Sequence, residues 1–222
     1  MITSPKEFVD SVSSLAFTDT FNPYAQRCPV YDRHDAPLLR RKVLFEMLQA
    51  ASECEVDAIW IGRDLGHRGG RRTGLALTDD VHLDAHAARW GIRTSRPTKG
   101  QAVAERTAAV IWSVLSQIES SVFLWNVFPL HPHETDAPFT NRAHNQQERR
   151  AGEELLSELV GLLRPRRLVA IGNDAAKSAV RVSHRSELVQ VRHPSYGGQA
   201  QFLGTMNRLY SLHQPAPALE RF

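Results

Sequence analysis

Four short, nearly continuous apolar runs constrain this chain more than any other feature: Val56–Ile61, Val122–Val127, Leu168–Gly172 and Leu188–Val191. Runs of that length read as strands buried on both faces, the habit of a parallel sheet covered on each side. Helical patterns alternate with them. Leu38–Glu53 precedes the first run, and Gln101–Ile118 carries Val103, Thr107, Val110, Ile111, Val114, Leu115 and Ile118 at helical spacing. Glu148–Leu163 repeats the pattern with Leu155, Leu156, Leu159, Val160 and Leu163, and Asn173–Val182 and Phe202–Leu212 are shorter candidates. Alternating strands and helices, with no repeat or Pro/Gly/Ser-rich linker between them, predict a single α/β domain over residues 1–222. It should be a three-layer α/β/α unit around a central, mostly parallel four-stranded sheet.

Composition narrows the function classes. At 222 residues, with 42% hydrophobic and 23% charged side chains, the chain can bury a substantial core and is not a disordered one. No run approaches the roughly 18 apolar residues of a membrane span. The opening segment, with Lys6, Glu7 and Asp10 and no apolar block, does not resemble a secretory signal. Cys28 and Cys54 are the only cysteines, too few for an iron–sulfur cluster or a Cys-rich zinc site. A cytoplasmic, monomeric protein without cofactor, metal or membrane partner is expected.

Of 27 basic residues only Lys6, Lys42, Lys99 and Lys177 are lysine; the rest are arginine, which grips phosphate in a planar, bidentate way. Codon usage in a GC-rich genome gives the same bias, so distribution says more. Between Gly62 and Thr73 lie Arg63, Arg68, Arg71 and Arg72 against the single acid Asp64.

In parallel sheets the ligand sits outside the carboxyl ends of the strands. The first run leads into Gly62-Arg63-Asp64-Leu65-Gly66-His67, the second ends at Trp125-Asn126, and the fourth opens into Arg192-His193-Pro194-Ser195. A carboxylate, a carboxamide and an imidazole are thereby expected to converge on one edge. Singly, each such residue more often caps a helix, forms a turn or satisfies backbone groups. Together they stand beside a Gly- and Arg-rich loop, Gly66 to Gly74, which lacks both the GK[ST] ending of a phosphate-binding loop and the GxGxxG spacing of a dinucleotide site. Asp64 can orient a water or stabilise a cationic transition state, Asn126 matches an acceptor-plus-N–H base edge, and His193 can donate to an oxygen gaining charge. His131-x-His133 with His144 nearby reads as loop polarity rather than a metal site.

These residues resemble the motifs of the uracil-DNA glycosylase superfamily, in the family's order over about residues 21–198. Gly62–His67 is similar to the water-activating motif GQDPYH, which implies a catalytic role for Asp64. The continuation through Gly69 and Thr73-Gly74 is closer to the single-strand-selective monofunctional branch (GMNPGPFGMAQTGVPFG). Trp125-Asn126-Val127-Phe128-Pro129-Leu130 resembles that branch's base-recognition segment, His193-Pro194-Ser195 the HPS motif, and Phe21–Ala25 the segment YNPLEYA. The branch carries asparagine where this chain has Asp64. Gly66 replaces the bulky tyrosine that excludes the thymine methyl group, which implies room beside C5 of a pyrimidine. The stacking aromatic falls on Leu77, leaving either Leu77 or Phe128 against the flipped base.

The resemblance implies a monofunctional glycosylase that flips uracil, or another deaminated or 5-substituted base, out of DNA and hydrolyses its N-glycosidic bond to initiate base excision repair. Asp64 and His193 would be catalytic, with Asn126, Gly66, Leu77 and Phe128 at the base. His67, Arg68, Arg71, Arg72, Ser195, Tyr196, Gly197, Gly198 and Gln199 would meet DNA, Tyr196 or Gln199 as the wedge. No lysine sits in a motif, which disfavours a Schiff-base lyase. Two other classes compete: a damaged-DNA or abasic-site binding protein with little turnover, and an α/β hydrolase acting on a small phosphorylated molecule.

Overall fold

A computed structural model describes residues 2–183 and 186–212. Its sheet consists of β2 (Ala58–Gly62), β3 (Val122–Asn126), β5 (Arg167–Ile171) and β6 (Glu187–Val191), all parallel, in the order β3-β2-β5-β6. Period-two alternation sorts the side chains between two faces. Ile59 and Ile61 join Phe8, Leu44, Leu48, Trp125, Leu156 and Leu159 under α1 (Pro5–Ser14), α2 (Ala36–Ser52) and α6 (Gln146–Leu163). Ala58 and Trp60 join Ile111, Leu115, Leu124, Phe202 and Met206 under α5 (Arg106–Leu115) and α8 (Gln199–Leu209). With α7 (Asn173–Val182) this is the α/β/α layering expected from the alternation.

The differences from expectation have local causes. The stripe over Gln101–Ile118 overestimates the helix, because two buried carboxylates capture the backbone ahead of it. Asp79 accepts from the Glu105 N–H at 2.6 Å and Asp80 from the Val103 N–H at 3.2 Å, so α5 starts only at Arg106. Helix α1 lies outside the helical stripes, although Ser4 as N-cap, Pro5 at the first position and Glu7 in the first turn are ordinary start signals. The Gly- and Arg-rich loop holds the one-turn helix α3 (Gly70–Thr73), and α4 (Leu83–Ala88) follows it. Strands β1 (Thr20–Phe21) and β4 (His131–Pro132) form a small antiparallel pair.

One buried ion pair ties the site loops to the core. Arg40, on α2, donates to Asp32 Oδ2 at 2.9 Å and also contacts Oδ1. Its Nε donates to the Arg72 carbonyl at 2.8 Å, and neither side chain of the pair is exposed to solvent. Removing one partner strands the other charge in the interior, where no water compensates it. Asp32→Ala is therefore expected to lower unfolding free energy by about 3–5 kcal/mol, read from urea denaturation. A loss within the scatter of surface substitutions would show that Arg40 finds water or another acceptor.

Candidate active site at the carboxyl edge of the sheet

A cleft of about 410 Å³ opens where β2, β5 and β6 end; Arg63, Asp64, Gly66, Leu77, Glu105 and His193 are among its lining residues. Asp64 follows β2 by two residues and its side chain is only 6% exposed. Both carboxylate oxygens are engaged. Oδ1 accepts from His144 Nδ1 at 2.5 Å, and Oδ2 accepts from Arg63 Nε at 2.6 Å. Arg63 also lies 3.7 Å from Asp174, just after β5. His144 is held by the start of α6. The next residue, Asn145, is the N-cap of a capping box with Glu148, and the buried Glu148 carboxylate accepts from both terminal nitrogens of Arg142 at 2.8 and 2.7 Å. Burial pushes the Glu148 carboxyl up, but the Arg142, Asn145 and Thr20 hydrogen bonds bring it below the ordinary value. A capping device thus fixes the segment that carries His144 to Asp64.

His193 closes the other side of the cleft. The Ser195 backbone N–H donates to its Nδ1 at 3.1 Å, so the proton of the neutral ring sits on Nε2. Burial, with the charges of Arg63 and Arg192 adding to it, holds its pKa below the ordinary 6.5. A neutral imidazole with a free Nε2–H is the form that donates to an oxyanion without first losing a charge. Gly172 and Gly198 let the backbone close around it: a Cβ at Gly198 would lie 2.1 Å from the His193 carbonyl. Gly198 is buried, so this structure gives it a turn-closing part rather than the DNA contact expected for it. Beyond it Tyr196 is 98% exposed at φ +52°, a left-handed conformation unusual for a side-chain-bearing residue, with Gly197 and Gln199 exposed alongside.

Asn126 ends β3 opposite Gly62, where a Cβ would lie 2.4 Å from Asn126 Oδ1 and push the carboxamide from its place. The Asn126 carboxamide is buried, and among the described residues neither its oxygen nor its nitrogen has a hydrogen-bond partner. Leaving such a group unpaired costs about 1–3 kcal/mol, which a folded chain tolerates where a ligand completes the bonds. Leu77 approaches the same point over Gly62 and lines the cleft. It is held at φ +55° with its carbonyl accepting from Trp112 Nε1 at 3.1 Å.

Four further expectations change. Arg71 and Arg72 are buried and do not stand on the surface. Arg71 donates to the Tyr31 hydroxyl at 2.8 Å, meets His131 Nδ1 at 2.9 Å and covers the Phe21 ring, while Arg72 pairs with Asp80 at 2.7 Å over the Tyr31 ring. Their guanidinium groups hold the loop from inside; Arg68, the other arginine of that loop, remains exposed, and His67 is half-buried with its N–H donating to Asn141. Phe128 is fully buried with an edge-on contact to Phe17 and does not line the cleft, so it does not meet a ligand there. Gly66 does not open free space. A Cβ there would lie 2.9 Å from Glu105 Oε1, so a carboxyl group from the start of α5 fills that volume.

Sequence reasoning missed Arg63, Glu105 and Arg142, and weighed His144 only as a metal ligand. The capping box after His144 was readable; its partner 80 residues upstream was not. His131, the other half of that pattern, is buried with its ring nitrogens at 2.9 Å from Arg71 and 2.8 Å from the Thr140 carbonyl. Among the described residues no three His, Cys, Asp or Glu side chains converge as a metal site.

No curated protein matches the chain. Among solved structures it is similar to SMUG2 of Pedobacter heparinus, at TM-score 0.58 and 13% identity over 95% of this chain and 97% of that one. It is also similar to a tyrosine-to-glycine mutant of UNG from Nitratifractor salsuginis, at TM-score 0.36 and 17% identity over 74% and 79%, a likeness too weak to bear on the fold. The first shares the fold described above. A family model described as the uracil DNA glycosylase superfamily matches residues 50–217, which takes in every strand of the central sheet and all three edge motifs. The chain belongs to the uracil DNA glycosylase superfamily.

Proposed function

We propose that this protein is a monofunctional DNA glycosylase that hydrolyses the N-glycosidic bond of uracil in DNA. The observation that carries the reading is the meeting, at one cleft, of the buried Asp64 carboxylate and the Nε2–H of a neutral His193, with the unpaired carboxamide of Asn126 just behind the cleft, against Gly62. Asn126 offers one donor and one acceptor, the complement of the uracil N3–H and O4 edge. As the C1′–N1 bond breaks, its electron pair goes to the base, and His193 donates to the oxygen that gains the charge. The sugar becomes cationic, and the Asp64 carboxylate stabilises it and accepts a proton from the water that bonds to C1′. A lysine nucleophile is not part of this scheme.

DNA would approach over the half of the Gly- and Arg-rich loop that stays exposed. Arg68 and His67, with Ser195, Tyr196, Gly197 and Gln199 across the cleft, are the proposed contacts, and Tyr196 is the leading wedge because its whole ring already projects into solvent. A phosphate beside Arg63 would compete for the guanidinium and release Asp64 Oδ2 to the water.

The test is a nicking assay with chelator present, using end-labelled DNA that carries one uracil, single-stranded or opposite guanine or adenine, followed by alkali. Abasic sites are the expected product. Tight binding to uracil or abasic DNA without cleavage would instead favour a damage-binding protein, and neither binding nor cleavage would sink the nucleic-acid reading. Borohydride trapping of a covalent adduct would overturn the monofunctional assignment.

His144 gives a separate prediction. Its Nδ1–H orients the carboxylate and steadies its charge, and a hydrogen bond to a charged group contributes roughly 1.5–3 kcal/mol. His144→Ala should slow single-turnover uracil release by about 10- to 100-fold, and His144→Asn, whose amide N–H can reach the same oxygen, should recover most of that loss. Equal defects in the two variants would mean that the ring does more than donate one hydrogen bond.

A further inference from the structure

The carboxyl of Glu105 has no place in the scheme above. It lines the cleft, and among the described residues it has no hydrogen-bond partner. Its position is nevertheless built. The Glu105 backbone N–H is held by Asp79 at 2.6 Å, and the same carboxylate fixes the N–H groups of Val81 at 3.1 Å and His82 at 3.0 Å. Two glycines cradle the side chain: a Cβ at Gly66 would lie 2.9 Å from Oε1, and one at Gly69 would lie 2.1 Å from Oε2. Burial and the neighbouring Asp79 push its pKa above the ordinary carboxyl value, against the pull of Arg68.

A pyrimidine whose O2 faces His193 and whose N3 and O4 face Asn126 has one edge left over. On that edge C6 adjoins the glycosidic nitrogen, so C5 is the carbon free to carry a substituent. We propose that Glu105 is the specificity-determining residue for that edge: its carboxyl turns away an apolar group on C5 and accepts a polar one of the same size. The proposal rests on the glycosylase reading. An apolar substituent would bury the carboxyl without a partner, whereas a hydroxyl supplies one, and sites built around a hydrogen-bonding group discriminate far more sharply than apolar pockets do.

The isosteric pair 5-hydroxymethyluracil and 5-ethyluracil, each placed once in a single-stranded oligonucleotide, isolates this effect. Wild-type protein should show kcat/KM at least roughly tenfold higher for the hydroxymethyl base. In Glu105→Ala and Glu105→Leu that ratio should collapse toward one, while Glu105→Gln, which keeps a polar group of the same length, should preserve most of it. The ratio is internal to each variant, so partial misfolding, which lowers both rates together, does not move it. Three results would overturn the proposal: a wild-type ratio near one, an unchanged ratio in the alanine and leucine variants, or removal of uracil without removal of 5-hydroxymethyluracil. Absence of uracil release by the wild type would instead bring down the glycosylase reading itself.

Discussion

Asp64→Asn is expected to slow single-turnover release of uracil by about 10²–10⁴-fold while leaving affinity for uracil-containing DNA within a few fold of wild type. The substitution is nearly isosteric, so packing around a side chain that is 6% exposed should survive. What disappears is the negative charge and the capacity to take a proton. The amide must also present oxygen to both His144 Nδ1 and Arg63 Nε, and it has only one oxygen to give. Binding is unaffected because no DNA contact is assigned to Asp64. Single-turnover rates with enzyme in excess, beside fluorescence anisotropy on the same duplex, separate the two quantities. Full activity in this variant would move water activation to another group, and Glu105 is the other carboxyl lining the cleft near Gly66.

The layer order was legible because the four runs are short and mostly apolar: β2, β3 and β5 are buried along nearly their whole length, while the edge strand β6 keeps Glu187 and Gln190 exposed. Their observed limits lie within two residues of the apolar runs. Residues at strand ends were legible for the same reason, since a parallel sheet places its loops by rule. Asp64 and His193 therefore reached the cleft, and Asn126 arrived just behind it, from topology and motif together. The limits of α5 were not legible, because Asp79 and Asp80 act on its backbone through tertiary contacts that no helical stripe encodes.

The arginines show the other limit. In sequence Arg68, Arg71 and Arg72 are equivalent members of one basic stretch. In the fold a one-turn helix points two of them inward, where Tyr31, Asp80, Phe21 and His131 receive them. Net charge counted along the chain says nothing about this, because Arg71 is buried by partners 40 and 60 residues away and Arg72 by a carboxylate eight residues on that the fold turns inward with it. Gly66 misleads in the same way. A missing side chain implies space only until a neighbour is known, and here the neighbour is a carboxyl group on another element.

His193→Ala should cost about 10²–10³-fold in the rate of base release, the usual effect of deleting one donor to a developing oxyanion. Because Ser195 N–H occupies Nδ1, protonating the ring would break that bond and reshape the turn. The charges facing the ring, Arg63 and Arg192, oppose protonation, and burial opposes it more. The sign follows: the working form is neutral, its pKa lies below 6.5, and the part of the rate that depends on this ring should stay level as pH falls through 6.5 and decline only below it. His193→Gln tests the donor separately from the ring, since its side-chain N–H can reach toward the same oxygen but does not titrate. It should recover part of the rate and lose the acid decline that belongs to His193, whereas His193→Ala recovers none. A wild-type rate that rises as pH drops through 6.5, and loses that rise in His193→Gln, would show that the imidazolium is the catalyst and that the tautomer assigned from Ser195 is wrong.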